Sequence, residues 1–357
     1  MFKSIALAAA ALVFVPPAMA QELKVDLLGS ITLPTGLKLN GVEFGGISGL
    51  DYDPVQDLYY AISDDRSQKA PARFYTLRLP MDAEGLHAVD VVSTVLLRDA
   101  AGNVFAEGAI DPESIRYNPL KRSIFWSTEN DASGNPAVYE SLTDGTFLRA
   151  FAVPEHYNPD GQETAGIFGN LGFESLTVSA DGANLLTATE NALIQDGGKA
   201  TLDAGSKARI MAFDIVSGAP TAEYLYETDV IHAKATAEPP YNDNGISEML
   251  QFDDEHLLVV ERSFAAGLGN QISFYLTALD SSADVTGQAT MEEGVEPLGK
   301  TLAFVIKEGD FGLDIDNVES VTFGPEIDGR KTLVIASDNN FNANGQFTQF
   351  VAFTLTE

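Results

Sequence analysis

The sequence predicts an all-β protein built as a β-propeller, and three observations support this. Five segments share one plan, in which a turn leads into two short strands and the second strand ends in an acidic residue. Further strand candidates follow each pair, and no stretch has a marked helical periodicity. A strand candidate near the N-terminus has no copy of its own, so it can close a ring of blades.

The five copies are recognisable side by side. They read "GISGLDYDPVQDLYYAISDDR" from Gly46, "DPESIRYNPLKRSIFWSTEN" from Asp111, "GFESLTVSADGANLLTATEN" from Gly172, "ISEMLQFDDEHLLVVERS" from Ile246 and "NVESVTFGPEIDGRKTLVIASDNN" from Asn317. We take Ser48, Glu113, Glu174, Glu248 and Glu319 as equivalent, which gives spacings of 65, 61, 74 and 71 residues. Regular repeats of strand-rich units predict a propeller.

Third and fourth strands complete most copies. Third strands are "ARFYTLRL", "AVYESL", "ARIMAFDI", "QISFYLTAL" and "QFVAFTL"; fourth strands are "VDVVSTVLL", "FLRAFAV", "AEYLYET" and "TLAFVIK". The last copy lacks a fourth strand, and "LKVDLLGSITL" near the N-terminus can supply it. A sixth blade could lie within residues 265–312, so five or six blades are both open.

The first twenty residues have the pattern of a secretory signal peptide. A lysine precedes an apolar run, and Ala18-Met19-Ala20 forms a small-residue cleavage site. The alternative is a membrane anchor, but the run from Ile5 to Val15 is too short to span a bilayer. We expect cleavage near Ala20, a single domain over residues 21–357, and a periplasmic or secreted protein.

Composition narrows the function. The chain has 52 acidic and 21 basic residues and a formal net charge of −31, which disfavours nucleic acid and anionic membranes as partners. It has no cysteine, and its four histidines are scattered, so thiol catalysis and zinc are disfavoured. We expect a monomer without a membrane span that acts on a small molecule.

The repeat predicts a group of carboxylates at one mouth of the ring. The start of the first strand and the end of the second lie at the same sheet edge, and the first strand of a blade is innermost. About nine acids should therefore meet near the axis: Glu113, Glu174, Glu248, Glu319, Asp64, Glu129, Glu190, Glu261 and Asp338. Such a group favours bound calcium. Alternatively, each glutamate accepts backbone N–H groups where two blades meet.

Basic residues recur near the same mouth. Arg66 follows the acidic pair Asp64-Asp65 at the end of a second strand, Arg262 directly follows Glu261 at the end of another, and Arg73 and Arg209 open third strands. Arginine beside a metal suits phosphate or carboxylate ligands, so these four are the candidate substrate-binding residues. The alternative for each is a local salt bridge.

Serine catalysis is weakly supported. No histidine is placed to activate Ser114 or Ser175, and "GGISGL" lacks the last glycine of a nucleophile elbow. The candidate catalytic residues are therefore the carboxylates Glu174 and Glu190, one of which would act as general base.

The repeated motifs resemble those of the phytase-like family, also described as having esterase-like activity of phytase. The resemblance rests on "GGISGLDYDP", "DPESIRYNP", "GFESLTVSADG", "NGISEML" and "DNVESVTFGP", with "SDDR" and "SDNN", and spans about Gly41 to the C-terminus. It implies an exported bacterial propeller that hydrolyses a phosphoester or another ester, with calcium as a possible cofactor.

Three functions are compatible with these observations. The first is a metal-dependent hydrolase of a phosphoester smaller than phytate or of another ester. The second is a non-catalytic propeller that binds a ligand or a partner and uses calcium structurally. The third is a lactonase-like propeller that cleaves a neutral ester beside an axial cation.

Overall fold

The computed structural model of the protein describes residues 23–356, which form antiparallel sheets almost throughout. The predicted signal peptide, residues 1–20, lies outside these residues. No helix within residues 23–356 is long and apolar enough to cross a membrane. The helices described are three short 3-10 turns: Glu155–Tyr157, Ser281–Ala283 and Asp310–Gly312.

The strands of the first half of the chain are β1 (Lys24–Pro34), β2 (Lys38–Leu39), β3 (Val42–Glu43), β4 (Ile47–Asp53), β5 (Leu58–Ser63), β6 (Arg73–Arg78), β7 (Met81–Asp82), β8 (Gly85–Leu86), β9 (Asp90–Leu96), β10 (Ile110–Asn118), β11 (Ser123–Asp131), β12 (Ala137–Leu142) and β13 (Phe147–Ala150). Those of the second half are β14 (Phe173–Val178), β15 (Asn184–Thr189), β16 (Lys207–Asp214), β17 (Pro220–Glu227), β18 (Asn242–Gln251), β19 (Leu257–Ala265), β20 (Gly269–Thr277), β21 (Lys300–Lys307), β22 (Asn317–Phe323), β23 (Thr332–Asp338) and β24 (Phe347–Thr356).

Within residues 23–356 these strands form five four-stranded sheets, the blades of a propeller. In order from the innermost strand they are blade 1 (β4-β5-β6-β9), blade 2 (β10-β11-β12-β13), blade 3 (β14-β15-β16-β17), blade 4 (β18-β19-β20-β21) and blade 5 (β22-β23-β24-β1). The predicted all-β propeller is confirmed, and the number of blades is five. Residues 265–312 contain β20 and β21 of blade 4, so they form no sixth blade.

The N-terminal strand closes the ring, as the sequence predicts. Strand β1 runs antiparallel to β24, with Ile31 opposite Phe350, and it supplies the outer strand of blade 5. The first and last described parts of the chain are thus joined by a ladder of backbone hydrogen bonds. Closure of this kind removes the free edge that an incomplete blade would leave.

Apolar side chains lie between neighbouring blades. The alternating pattern of each strand points one set of side chains towards the blade before it and the other towards the blade after it. Trp126 packs with Phe74 between blades 1 and 2, and Phe274 with Val351 between blades 4 and 5. Every blade is therefore held by the two beside it.

An ion pair lies at the centre of the ring. The guanidinium of Arg116 donates to the carbonyl oxygens of Leu50 and Ile115, both at 2.8 Å, and of Met249 at 3.0 Å. It also lies 2.9 Å from Glu248, which is completely buried. We call Arg116 and Glu248 the axial pair.

Candidate functional site

Each innermost hairpin has a β-bulge at the same place. The pairing of the first two strands shifts by one residue directly after Ile47, Pro112, Phe173, Ile246 or Val318. A bulge of this kind leaves the extra residue out of the ladder and redirects its side chain. The residues at this bulge position are Ser48, Glu113, Glu174, Ser247 and Glu319. On the second strand, we call the residue that follows the pairing partner of the residue before the bulge the closing position. It is held by Asp64, Glu129, Glu190, Arg262 and Asp338.

The alignment of the fourth copy was wrong by one residue. Ile246 pairs with Glu261, just as Phe173 pairs with Thr189 in blade 3. Glu248 is therefore equivalent to Ser175, and the bulge position of blade 4 is Ser247. Because successive residues of a strand point to opposite sides, Glu248 belongs to the axial pair and not to the mouth.

Glu261 is likewise not at the mouth. Its carboxylate accepts hydrogen bonds from Tyr226 Oη at 2.8 Å, Lys300 Nζ at 2.6 Å and the backbone N–H of Asp229 at 2.7 Å. The closing position of blade 4 holds Arg262 instead. Seven of the nine expected acids thus occupy the bulge and closing positions: Asp64, Glu113, Glu129, Glu174, Glu190, Glu319 and Asp338.

Five carboxylates of blades 2 and 3 form the tightest group, which we call the carboxylate cluster: Asp111, Glu113, Glu129, Glu174 and Glu190. One oxygen from each of Asp111, Glu113 and Glu129 lies within 4.8 Å of the other two. The same holds for Glu129, Glu174 and Glu190. None of the five is more than 7 % exposed. The cluster therefore consists of two groups of three that share Glu129.

The cluster has few internal partners. Ser48 Oγ donates to Glu113 at 2.5 Å, and the backbone N–H of Gly172 donates to Glu129 Oε1 at 2.8 Å. Glu129 Oε2 is buried and has no hydrogen-bond partner within residues 23–356. The cluster is thus short of positive charge and of donors at its centre.

Two arginines flank the cluster at its ends. Arg66 Nη2 lies 2.7 Å from Asp111 Oδ2, and Arg262 Nη2 lies 3.5 Å from Glu190 Oε1. Arg262 also lies 2.5 Å from Glu319 Oε1, so its charge is divided between two carboxylates. Burial opposes the charge of Arg262, but the surrounding acids more than offset this and raise its pKa.

The environment raises the pKa of the cluster carboxyls. Burial raises the pKa of Glu190 to about 8. The charge of Arg262 lowers this pKa, and neighbouring acids raise it further. Burial raises the pKa of Glu129 to about 7 despite hydrogen bonds that favour its ionised form. Burial and then the neighbouring carboxylates hold the pKa values of Glu113 and Glu174 well above their usual range. At neutral pH the cluster therefore carries protons unless a cation offsets its charge.

The remaining mouth acids form a second group between blades 5 and 1. Asn317 Nδ2 donates to Glu319 Oε1 at 2.9 Å and to Asp338 Oδ2 at 3.3 Å. Burial and then Glu319 raise the pKa of Asp64 well above its usual range. Burial and then Asp64 do the same for Asp338. Arg262 thus stands between this group and the cluster.

The four predicted anion-binding arginines divide into two pairs. Arg66 and Arg262 lie at the mouth, as expected. Arg73 and Arg209 are completely buried, where Arg73 contacts Asp65 at 2.6 Å and Arg209 contacts Asp196 and Glu223 at 2.7 and 2.8 Å. Their guanidinium groups form local salt bridges, so neither is available to a ligand.

A cavity of about 720 Å³ opens from the mouth. Glu174, Glu190, Arg262 and Glu319 line it, and so does the exposed Lys199. Sequence reasoning missed Lys199, which lies in a long insertion without a repeated motif. It also missed Asp111, although this residue opens the motif "DPES" and is the one acid at its position among the five copies.

The serines of the repeated motif have structural roles. Ser175 is completely buried and its Oγ accepts the backbone N–H of Ala188 at 3.1 Å. Ser114 Oγ donates to Glu248 at 2.9 Å. Both lie one residue beyond the bulge and face away from the cluster, so they are not placed to act as nucleophiles at the mouth.

The donor set of the cluster suits a hard divalent cation. Calcium binds oxygen ligands at 2.3–2.6 Å, so two oxygens on one ion lie no more than about 5 Å apart. Each group of three carboxylates meets this limit. Neither histidine nor cysteine takes part, which disfavours zinc.

Three solved structures have a similar course of the chain. An endo-arabinase from Bacteroides thetaiotaomicron is 13 % identical over 91 % of this chain and 97 % of its own, with a TM-score of 0.46. Hydrazine synthase from Kuenenia stuttgartiensis is 10 % identical over 85 % and 79 %, with a TM-score of 0.39. The Dos1 propeller is 9 % identical over 86 % and 68 %, with a TM-score of 0.33. Similarities this low indicate no activity.

The family comparison is decisive for classification. No curated protein matches the chain. The family described as "Phytase-like: Esterase-like activity of phytase" matches residues 42–341, which include all five innermost hairpins and every residue of the carboxylate cluster. The chain belongs to the phytase-like family.

Proposed function

We propose that the protein is an exported hydrolase that cleaves a phosphoester or another ester at the carboxylate mouth with the help of bound calcium. The observation that carries the proposal is the carboxylate cluster: five buried acids in two groups of three, within each of which the oxygens lie at calcium-binding distances, in a member of the phytase-like family. The predicted signal peptide supports export.

The glutamates of the mouth would have two roles, cation binding and proton transfer. Glu113, Glu129, Glu174 and Glu190 would each contribute an oxygen to a bound cation, which their distances within the two groups of three support. A bound divalent cation would supply a Lewis acid that polarises the ester and lowers the pKa of water. The second oxygen of Glu190 would accept a proton from the attacking water, and Glu174 could take the same role.

Positive side chains would position the anionic part of the substrate. Arg262 lines the cavity and presents a planar guanidinium, which suits phosphate or carboxylate groups. Arg66 lies at the other end of the cluster and is partly exposed. Because acids greatly outnumber bases at the mouth, a small monoanionic or neutral ester fits better than a polyanion such as phytate.

Hydrolysis assays with and without a calcium chelator test this proposal. The purified protein would be screened on phosphomonoesters, phosphodiesters, carboxylic esters and lactones. We expect activity on at least one class, its loss with chelator and its recovery with added calcium. Glu174→Gln should lower kcat at least tenfold, because it removes a charged ligand of the cation.

Ser175→Ala is the matched control, since Ser175 adjoins Glu174 but faces away from the cluster. This variant should keep kcat within twofold of the wild type. Equal losses in the two variants would contradict the roles given to them. No hydrolysis of any class, together with thermal stabilisation by calcium, would favour a ligand-binding propeller with structural calcium.

A further inference from the structure

We propose that the carboxylate cluster holds two divalent cations that share Glu129, and that Arg262 fills the corresponding third place with its own charge. This inference rests on the proposed function only for the claim that the mouth binds a cation. It concerns how many ions bind and which side chains hold each one. The repeat of the three-carboxylate arrangement from blade to blade carries it.

The first arrangement belongs to blade 2 alone. Asp111 stands directly before Pro112, the paired residue that precedes the bulge, while Glu113 is at the bulge position and Glu129 is at the closing position. One oxygen of each lies within 4.8 Å of the others. Three positions of one hairpin thus provide three oxygens for one ion.

The second arrangement repeats the first one blade further on. In blade 3 the place of Asp111 is taken by Gly172, which has no side chain, while Glu174 and Glu190 hold the bulge and closing positions. A Cβ on Gly172 would lie 3.0 Å from the Cα of Glu129, so the glycine leaves room for this residue. Glu129 therefore supplies the third carboxylate of blade 3 as well as that of blade 2.

The same arrangement occurs a third time, but with different chemistry. In blade 4 the equivalent glycine is Gly245, and a Cβ there would lie 2.6 Å from Cγ of Glu190. The bulge and closing positions hold Ser247 and Arg262 instead of two acids. The guanidinium of Arg262 is 3.5 Å from Glu190, so blade 4 provides its own cation at this place.

In the first two arrangements no cationic side chain of residues 23–356 lies within 4 Å of the shared carboxylate, Glu129; Arg66 and Arg262 contact the outer members, Asp111 and Glu190. Glu129 is completely buried, its Oε2 has no hydrogen-bond partner among the described residues, and this carboxylate is the one common to both groups. Its Oε1 accepts the N–H of Gly172. A carboxylate that bridges two ions would satisfy both the unpartnered oxygen and the excess of negative charge.

Calorimetric titration of the chelator-treated protein with calcium chloride tests the number of ions. The wild type should bind two calcium ions per chain, and metal analysis after gel filtration should agree. Asp111→Asn and Glu190→Gln should each bind only one ion, because each removes a ligand of a different arrangement. Glu129→Gln should weaken both sites by about tenfold or more, since it is a ligand of both.

Glu319→Gln is the control, because Glu319 lies at an equivalent bulge position outside the cluster. It should still bind two ions. Circular dichroism would establish that each variant is folded before it is titrated. A wild type that binds one ion or none would overturn the inference. So would a pair of variants, Asp111→Asn and Glu190→Gln, that abolish one and the same site.

These results are separable from those on the proposed function. Two calcium ions bound by a protein that hydrolyses no ester would leave this inference standing and overturn the hydrolase. One calcium ion bound by an active, chelator-sensitive enzyme would overturn this inference and leave the hydrolase standing.

Discussion

Arg262 occupies a position that holds an acid in the other four blades. Its guanidinium contacts both Glu190 and Glu319, and at 13 % exposure its side chain is largely removed from water. One substitution in the repeat thus divides the mouth into two acidic groups with a cation between them.

Arg262→Met should destabilise the protein strongly. Removing one member of a largely buried ion pair leaves its partners uncompensated, and we expect a loss of about 3 kcal/mol in the free energy of unfolding. Urea denaturation followed by circular dichroism measures this. Arg330→Met is the control, because Arg330 and its partner Asp26 are both well exposed and 3.8 Å apart. That variant should lose less than about 1 kcal/mol.

At the residue scale, the sequence predicted the type of site better than its members. Glu113, Glu174 and Glu319 were identified because each stands at the start of the first strand of its hairpin, which places all three at the same edge of the ring. Glu248 was misplaced because "SE" in the fourth copy reverses the "ES" of the others, and an alignment by residue type follows the glutamate. The position of the bulge determines which residue of the fourth copy is equivalent to Glu174. That position depends on backbone pairing, which the amino-acid sequence alone does not show.

At the scale of elements, the bulge is what turns five ordinary hairpins into a mouth. All strands of the blades follow from apolar alternation and turn residues, so hairpins, third and fourth strands and ring closure by β1 were predictable. The bulges were not, because the residues that form them also fit a regular ladder. For Arg73 and Arg209 the alternative, a local salt bridge, is what forms: Arg73 pairs with Asp65, and Arg209 pairs with Asp196 and with Glu223 of β17.

The innermost strands approach each other closely enough to require glycine at one point. A Cβ on Gly49 of β4 would lie 2.7 Å from the Cα of Ser114 and 2.8 Å from the carbonyl oxygen of Glu113 in β10. Gly49→Ala should therefore push blades 1 and 2 apart and cost about 1–3 kcal/mol of stability.

Thermal and urea denaturation would measure this loss. Gly198→Ala is the matched control, because nothing lies within 4 Å of a Cβ built at Gly198. A loss in Gly49→Ala no larger than that in the control would show that the two strands can separate without cost.

At the scale of the whole molecule, the raised pKa values make stability depend on pH and on calcium together. The pKa values of Glu129 and Glu248 are about 7 and that of Glu190 is about 8, whereas their ordinary value is 4.5. Between these values the folded chain binds more protons than the unfolded chain. Without divalent cations, the stabilisation from these groups should thus be complete below about pH 4.5 and be lost as the pH rises towards 8.

Calcium should reverse this trend, because it binds the ionised carboxylates. Melting temperatures at pH 5 and pH 8, with chelator and with calcium, measure both effects. We expect calcium to stabilise the protein more at pH 8 than at pH 5. Equal stabilisation at the two values would contradict the raised pKa values of the cluster.

The axial pair has a consequence for how the ring assembles. Arg116 bonds to carbonyl oxygens of blades 1, 2 and 4, while Glu248 accepts the side-chain hydroxyl of Ser114 and the backbone N–H of Leu176 in blade 3. Each charge therefore depends on three blades, and residues from four blades must be in place before both have these partners. A partly formed ring would carry an unsatisfied arginine at its centre, which is costly. Folding of the central ring is thus expected to be all-or-none, unlike the blade-by-blade growth open to a linear repeat protein.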